Sequence, residues 1–478
     1  MQTTGMMSEA LIRGVVEQVL AQMGVGASST AAPASGSNGR YGVYPSADAA
    51  VEASGSAFAK FRTRPLADRA AAVACIKKIC VEQAEELGAA ELAETKIGRL
   101  DHKIAKLRDA IPLVPGVEYL RTDNVSGDNG LTLTDYTPFG VLGAVTPVTH
   151  SLPTLAGNAI NMLAAGNTVV FNAHPSGAKI AAEGVRRFNR AIEAAIGIPD
   201  LLTIIDPPTI ESANALFNHN GVRLLVVTGG PFVARAALAS KRRAIVAGPG
   251  NPPVVVDATA CLDHAAKSIV AGAAFDNNLL CIGEKQVFAV AAIFDKLLET
   301  MSRHGGLRLD PAQIDRLTKA AFVMGDDNKL HVNKDCVGRD ASVLAKLAGV
   351  DAPAGTQLLF GETGFDHPFV DQEQMMPFLP FVRCSDVNRA IELAKESEHG
   401  FGHTAVLHSR DTTVMSRMGK IMDCTLFIVN GPSTAGLGLG GEGTLSFSIA
   451  GPTGEGVTTP LTFTRQRRTT ITGGLRFV

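Results

Sequence analysis

Among the seven cysteines of this chain, Cys281 has the surroundings that thiol chemistry needs. It lies in Phe275-Asp276-Asn277-Asn278-Leu279-Leu280-Cys281-Ile282-Gly283-Glu284-Lys285, between turn-forming polar residues and an apolar run from Gln286. That context predicts a partly exposed thiol on a loop, where backbone N–H groups stabilise a thiolate or an oxyanion. Cys75, Cys80, Cys261, Cys336, Cys384 and Cys424 have no comparable setting. Spacing by itself does not separate a nucleophile from an inert small hydrophobe, which cysteine often is. The cysteines are scattered, with no CxxC pair and no Cys/His cluster. This predicts a reduced chain without a metal site.

Two further segments have the form of ligand-binding turns. Val226-Val227-Thr228-Gly229-Gly230-Pro231 reads as a strand, a glycine turn and a helix start. Small residues there let a pyrophosphate approach backbone N–H groups at a positive helix end. An ordinary strand-to-helix turn has the same composition, and the GxGxxG fingerprint is absent. Gly166-Asn167-Thr168-Val169-Val170-Phe171-Asn172-Ala173-His174-Pro175 runs from helix end through a buried strand to a loop. Ligands bind at strand carboxyl ends in doubly wound sheets, so Asn172–His174 are candidates to line a cofactor cleft.

These segments need a scaffold. Short β-branched runs at Val141–Val145, Thr168–Phe171, Leu201–Ile205, Leu224–Val227 and Val254–Val256 alternate with helical stretches. The latter are Leu155–Ala165, Ser176–Ile196, Ile210–His219 and Pro231–Ser240. Such alternation predicts a parallel, doubly wound α/β sheet. Residues 46–120 read as mainly helical, and a second α/β region begins near 257, with strands at Gln286–Val290, Thr404–Leu407 and Thr425–Val429. The tail predicts a β-arm, with Thr462–Thr464 and Thr469–Thr472 around Arg465, Arg467 and Arg468. A chain of 478 residues exceeds one hydrophobic core, so two large domains are expected.

Composition excludes several partners. Net charge is −2, which gives no global field for nucleic acid or an anionic membrane. No run of about 18 uncharged apolar residues occurs. No basic segment followed by a continuous apolar stretch opens the chain, so a secretory signal is not expected. From Met7 to Met23, Leu11, Ile12, Val15, Val16, Val19, Leu20 and Met23 recur at helical spacing, with Ser8 to cap and Gly24 to stop the helix. Gly24–Arg40 reads as a flexible Ala/Ser/Gly linker. A short tethered amphipathic helix cannot bury its own apolar stripe, so it docks on its own body, a sister subunit or another partner.

Taken in order, four segments resemble the aldehyde dehydrogenase superfamily. They are Gly140–Pro147, Leu163–Phe171, Gly248-Pro249-Gly250-Asn251-Pro252-Pro253-Val254-Val255-Val256-Asp257, and the Cys281 loop. Together they look closest to the coenzyme-A-acylating branch, resembling the propionaldehyde and acetaldehyde dehydrogenases of bacterial microcompartments. The resemblance implies an aldehyde dehydrogenase-like α/β fold: a Rossmann-type cofactor domain, an α/β catalytic domain and a β oligomerisation flap. The implied spans are an encapsulation helix at 1–23, a linker at 24–40, an NAD/CoA-binding domain at 41–255, a catalytic domain at 256–440 and a return at 441–478. The flap would join 124–136 to the C-terminal arm.

Two departures from the hydrolytic pattern are informative. The family's water-activating glutamate, counted back from Cys281, falls on Ala247, and the asparagine that donates to the oxyanion falls on Thr149, followed by His150. Both fit a thioester that survives until a thiol arrives. The resemblance therefore implies catalytic Cys281, Thr149 and His150. Thr146, Pro147, Asn172, His174, Thr228, Gly229, Gly230, Gly248 and Glu373 are implied as cofactor-binding, with Glu373 on the nicotinamide ribose. His399 and His403 read as loop structure first and as channel residues second, and Gly431–Gly443 as a stretch that closes the site. NAD and coenzyme A are the implied cofactor and co-substrate, and a short-chain aldehyde is the substrate, with propionaldehyde favoured over acetaldehyde. Shell proteins are implied as partners of the N-terminal helix, with a homo-oligomer (dimer or tetramer) inside a cytoplasmic microcompartment. The competing readings are a hydrolytic aldehyde dehydrogenase, a non-catalytic scaffold and a regulatory thiol in a binding protein.

Overall fold

The computed structural model describes residues 40–475. The expected helix at Met7–Met23 and most of its linker lie outside the described residues. Among the described residues two compact units emerge: 40–84, Val114–Gly248 and 446–475 form the first, and Glu85–Leu113 with Pro249–Leu445 the second. Glu85–Leu113 thus groups with the second unit although the sequence placed it within 41–255. Among the described residues no helix is long and apolar enough to cross a membrane.

The first unit is built on a parallel sheet of β1 (Val43–Tyr44), β2 (Val141–Thr146), β3 (Thr168–Ala173), β4 (Leu202–Ile205), β5 (Val222–Thr228) and β6 (Ala244–Ala247). Their order is β1-β4-β3-β2-β5-β6. From β2 the chain winds outward through β3 and β4, then crosses to β5 and β6, so the order reverses between β2 and β5. That reversal point is where a doubly wound sheet opens a ligand crevice beyond its strand carboxyl ends. Helix α1 (Ser151–Ala164) is buried at every position. Helix α2 (Ala178–Ile196) ends where Gly197 takes φ 72. Helices α3 (Ile210–Asn218) and α4 (Pro231–Ala239) complete the alternation. Strand β6 had no counterpart in the sequence reading, because four short residues, Ala244–Ala247, carry no distinct pattern.

Strands Asp123–Gly127, Gly130–Pro138 and Thr464–Thr472 form a separate antiparallel sheet. The tail contributes one continuous nine-residue strand, not the two short runs expected. Its register pairs Thr464 with Pro138 and Thr472 with Gly130. The root of this sheet is tied by one buried side chain, Asn167. Its Oδ1 accepts from the N–H groups of Phe139 (2.7 Å) and Gly140 (3.0 Å). Its Nδ2 donates to Phe463 O (2.8 Å) and Met162 O (3.3 Å).

The second unit holds a seven-stranded parallel sheet: β7 (Pro253–Val256), β8 (Gln286–Val290), β9 (Gly306–Arg308), β10 (Leu358–Glu362), β11 (Phe378–Cys384), β12 (Thr404–His408) and β13 (Leu426–Val429). Their order is β9-β10-β11-β8-β7-β12-β13. The run Val254–Val256, read from the sequence as the last strand of the first region, belongs here: Val254 pairs with Val287 and with Val406. Helix α5 (Leu262–Ala274) leads from β7 towards the Cys281 loop.

Asn167→Ala would strand the N–H groups of Phe139 and Gly140 and the Phe463 carbonyl, Met162 O keeping the backbone N–H of residue 167, at about 1–3 kcal/mol for each group that finds no water. The expected outcome is a clear fall in the calorimetric melting temperature, while Asn167→Asp, which keeps the acceptor, falls less.

Candidate active site

In the first unit the expected cofactor residues collect along the carboxyl edge of the sheet. Thr146 closes β2 and Thr228 closes β5, the two strands at the reversal point. Thr146 is buried, and its hydroxyl oxygen has no hydrogen-bond partner among the described residues. Pro147 follows it, and His174 N–H donates to Thr146 O at 3.0 Å. Asn172 accepts a 2.7 Å hydrogen bond from Ser212 Oγ, and His174 Nδ1 accepts from Ser176 N–H. The Thr228 hydroxyl lies 2.6 Å from Ser448 Oγ, which donates to Asn158 Oδ1 at 2.9 Å. Gly229 and Gly230 precede α4, with Pro231 at its first turn. A Cβ on Gly230 would meet nothing within 4 Å. Ala247 ends β6 opposite Thr228, with Gly248 next. Thr149 and His150 form the turn before α1, and the His150 ring tilts over Phe447 at 6.0 Å.

In the second unit the functional residues lie on the opposite kind of edge. Cys281 and Lys285 precede β8, Gly250 precedes β7, Glu373 precedes β11 and His403 precedes β12. These are neighbouring strands in the order β11-β8-β7-β12. Four amino-terminal strand ends therefore converge on the thiol. Cys281 is half-buried, as the loop context predicted. The chain enters it through Asp276, Asn277 and Asn278, all left-handed, with φ of 49°, 55° and 66°. Asp and Asn tolerate this region better than other side chains. That consecutive Asp-Asn-Asn was the signal the sequence reading passed over.

Each of the three is held by buried contacts. The Asp276 carboxylate pairs with Lys106 and accepts from Arg99 N–H at 2.8 Å, while its own N–H donates to His102 Nδ1. Asn277 donates to Gly338 O and to the Asp340 carboxylate, at 3.0 and 2.8 Å. Asn278 donates to Ala273 O and Glu284 O, at 2.9 and 2.8 Å. Lys285 Nζ donates to Asn278 O (2.8 Å), Asn278 Oδ1 and Leu280 O (3.2 Å). Glu284 turns away and accepts from Ser433 N–H and Oγ, both at 2.8 Å. Ser433 belongs to the stretch Gly431–Gly443. Gly250 must be glycine, since a Cβ there would lie 2.7 Å from Cys281 O and 3.0 Å from His403 Cγ.

Burial sets the electrostatics. It pushes the Cys281 thiol up to about 12, with Glu373 adding to the rise and Lys285 opposing it. The Glu373 carboxyl is raised by burial, against Lys285 and an accepted Gly250 N–H. Glu284 is pushed up to about 7 and Lys285 down to about 8, burial being the main cause in both. His403 is lowered to about 4, and its Nε2 is buried with no hydrogen-bond partner among the described residues. His399 lies in the same loop but its Nε2 donates to Asp371 O, 2.7 Å away. Glu373 acts electrostatically on both Cys281 and Lys285, whereas the resemblance implied only a contact with the nicotinamide ribose; Glu284, Lys285 and Asn278 carried no assigned role.

The sequence profile of the aldehyde dehydrogenase family matches residues 40–319. The chain belongs to that family. It is 42% identical over 474 residues to the acetaldehyde dehydrogenase (acetylating) EutE of Salmonella typhimurium, spanning 99% of this chain and 100% of that protein. A propionaldehyde dehydrogenase of Rhodopseudomonas palustris, solved with bound CoA and an acylated cysteine, superposes with a TM-score of 0.87 at 43% identity, over 90% of this chain and 98% of that one. A propionaldehyde dehydrogenase from the fucose utilisation bacterial microcompartment of Clostridium phytofermentans gives 0.88 at 38% identity, over 91% and 99%.

With its thiol raised, Cys281 is mostly neutral in the cofactor-free protein at pH 8. Its alkylation by iodoacetamide is expected to keep accelerating through pH 10 without a plateau. Because Glu373 raises the thiol, Glu373→Gln should speed alkylation at pH 8, read by mass spectrometry of the Cys281 peptide.

Proposed function

We propose that this chain is a coenzyme-A-acylating aldehyde dehydrogenase, which oxidises a short-chain aldehyde with NAD and passes the acyl group to coenzyme A through a thioester on Cys281. The observation that carries this reading is Ala247. Its methyl group ends β6 beside Thr228, at the position where hydrolytic relatives hold their water-activating carboxylate. Without a base there, a thioester has no built-in route to the free acid. The acylated cysteine and bound CoA of the Rhodopseudomonas palustris relative support the same chemistry.

The first unit fits a dinucleotide. An unpartnered buried hydroxyl on Thr146, an unobstructed Gly230 and the amino terminus of α4 lie along one sheet edge. Thr146, Pro147, Asn172, His174, Thr228, Gly229, Gly230 and Gly248 are assigned to hold NAD, with Glu373 on its ribose. NAD supplies the hydride acceptor. Cys281, once deprotonated, bonds to the aldehyde carbon, and the oxygen gains negative charge. The Cys281 N–H and the Thr149 hydroxyl are its assigned donors, with His150 beside Thr149. Oxidation leaves an acyl group on Sγ. The coenzyme A thiol then attacks the acyl carbon, the bond to Cys281 breaks and the free thiol returns. Propionaldehyde is favoured and acetaldehyde is the alternative, since relatives of both kinds align along nearly the whole chain.

The exposed sheet supports an assembly. Val125 is 75% exposed on its outermost strand and Ile471 is 41% exposed on the tail strand, apolar surface that a sister subunit would cover. A dimer or tetramer is the proposed state. Residues 1–23, with their helical apolar stripe, are proposed to dock on shell proteins of a cytoplasmic microcompartment, as the origin of the Clostridium phytofermentans relative suggests.

Four outcomes test the reading. NADH formation from propionaldehyde should require coenzyme A in the steady state, with about one NADH per site formed in its absence. Cys281→Ser should lower turnover by on the order of 10³-fold or more. Sustained turnover to free propionate without coenzyme A would refute it, and Ala247→Glu is expected to create that leak. Deleting residues 1–23 should leave kcat unchanged and abolish co-purification with shells.

A further inference from the structure

Lys285 is buried completely, yet the groups that receive its hydrogen bonds are all neutral: two backbone carbonyls and an amide oxygen. No carboxylate lies within ion-pair distance of its Nζ among the described residues. The adjacent Glu284 is committed to Ser433. A buried ammonium without an anionic partner is costly, and folds avoid it unless the charge is used. Neutral acceptors need only neutral donors, so a glutamine at 285 would meet much of the same demand. What lysine adds is charge, placed four residues from the thiol.

We infer that Lys285 is a positioning residue for Cys281: its ammonium fixes the carbonyls of Asn278 and Leu280, which orient the loop, and sets a positive charge within the turn that leads into the thiol. The inference rests on the proposal that Cys281 is the nucleophile. Two separate features meet in it. The left-handed entry at Asp276–Asn278 is tied on its outer side by Lys106, Arg99 and Asp340, and on its inner side by Lys285. The charged and titratable groups facing Lys285 are Cys281, Glu284, Glu373 and His403. Of these, Glu373 and Glu284 are raised by burial, which favours their neutral forms. The thiol is the group that becomes an anion during turnover, and the ammonium favours that form.

The test uses the full-length protein and four variants. Lys285→Met removes charge and donors, Lys285→Gln keeps donors, Lys285→Arg keeps charge, and Cys281→Ser controls for the nucleophile. Alkylation of Cys281 by iodoacetamide is followed peptide by peptide from pH 7 to 10, beside kcat, the KM for NAD and a melting curve. The expected result is a fall of about tenfold or more in kcat and in alkylation rate at pH 7, where Lys285 keeps its proton, for Lys285→Gln, with the difference from the parent narrowing as pH rises past about 8. Lys285→Met should do the same where it folds. Lys285→Arg should stay within about threefold of the parent, and the KM for NAD should change by no more than that in any variant. A Lys285→Gln protein that alkylates and turns over like the parent overturns the inference. So does a Lys285→Arg protein that falls as far as Lys285→Gln, because charge would then not be the cause. An active Cys281→Ser protein would instead remove the nucleophile proposal itself, and the two failures are therefore distinguishable.

Discussion

Asp276, Asn277 and Asn278 set the direction in which the chain runs into Cys281, and they do so in a conformation that polypeptides avoid. A left-handed residue costs roughly 1–2 kcal/mol for an ordinary side chain, somewhat less for Asp and Asn. Three in succession persist only when their surroundings over-determine them. Here every one of the three side chains is buried and bonded, and the contacts come from separate segments: Arg99, His102 and Lys106, then Gly338 and Asp340, then Ala273, Glu284 and Lys285. A buried hydrogen bond to a charged group contributes about 1.5–3 kcal/mol. The Lys106–Asp276 pair and the Lys285 ammonium that donates to Asn278 are thus of the size needed to hold the turn. The segment 85–113 groups with the thiol-bearing unit for this reason.

The two units place their functional residues by different rules. In the first, carboxyl-terminal strand ends face the start of helices, the geometry that suits phosphates. In the second, the thiol and its neighbours sit where four parallel strands begin, reached by helix ends and loops. Parallel strands are spaced about 4.8 Å apart, so residues preceding adjacent strands meet without long side chains. Gly250 shows how tight that meeting is, since its backbone lies against the Cys281 carbonyl and the His403 ring.

Much of this was legible in the sequence. The alternation of β-branched runs with amphipathic stretches located β2 to β5 and helices α1 to α4, because those signals are local. Cys281 was located as a loop thiol from its polar approach and apolar exit, and Glu373 by likeness to a family pattern. The misassignments have a common cause. Val254–Val256 reads as a strand wherever it goes, and only pairing with Val287 and Val406, far along the chain, puts it in the second sheet. The role of Lys285 was hidden for a similar reason. A lysine after Gly-Glu reads as a solvated charge until tertiary packing buries it. The unpartnered Thr146 hydroxyl is likewise invisible in sequence, since an absent partner leaves no pattern.

Cys281 lies seven residues past Ala274, the end of helix α5, and so beyond the last turn in which a helix field acts. Reactive cysteines are often found at helix amino termini, where the field lowers their pKa. Here burial and Glu373 keep the resting sulfur protonated. Peroxide attacks thiolates far more readily than thiols, and the ladder from sulfenic to sulfonic acid begins with that attack. A nucleophile stored in its neutral form is therefore guarded against oxidative loss during the intervals between turnovers.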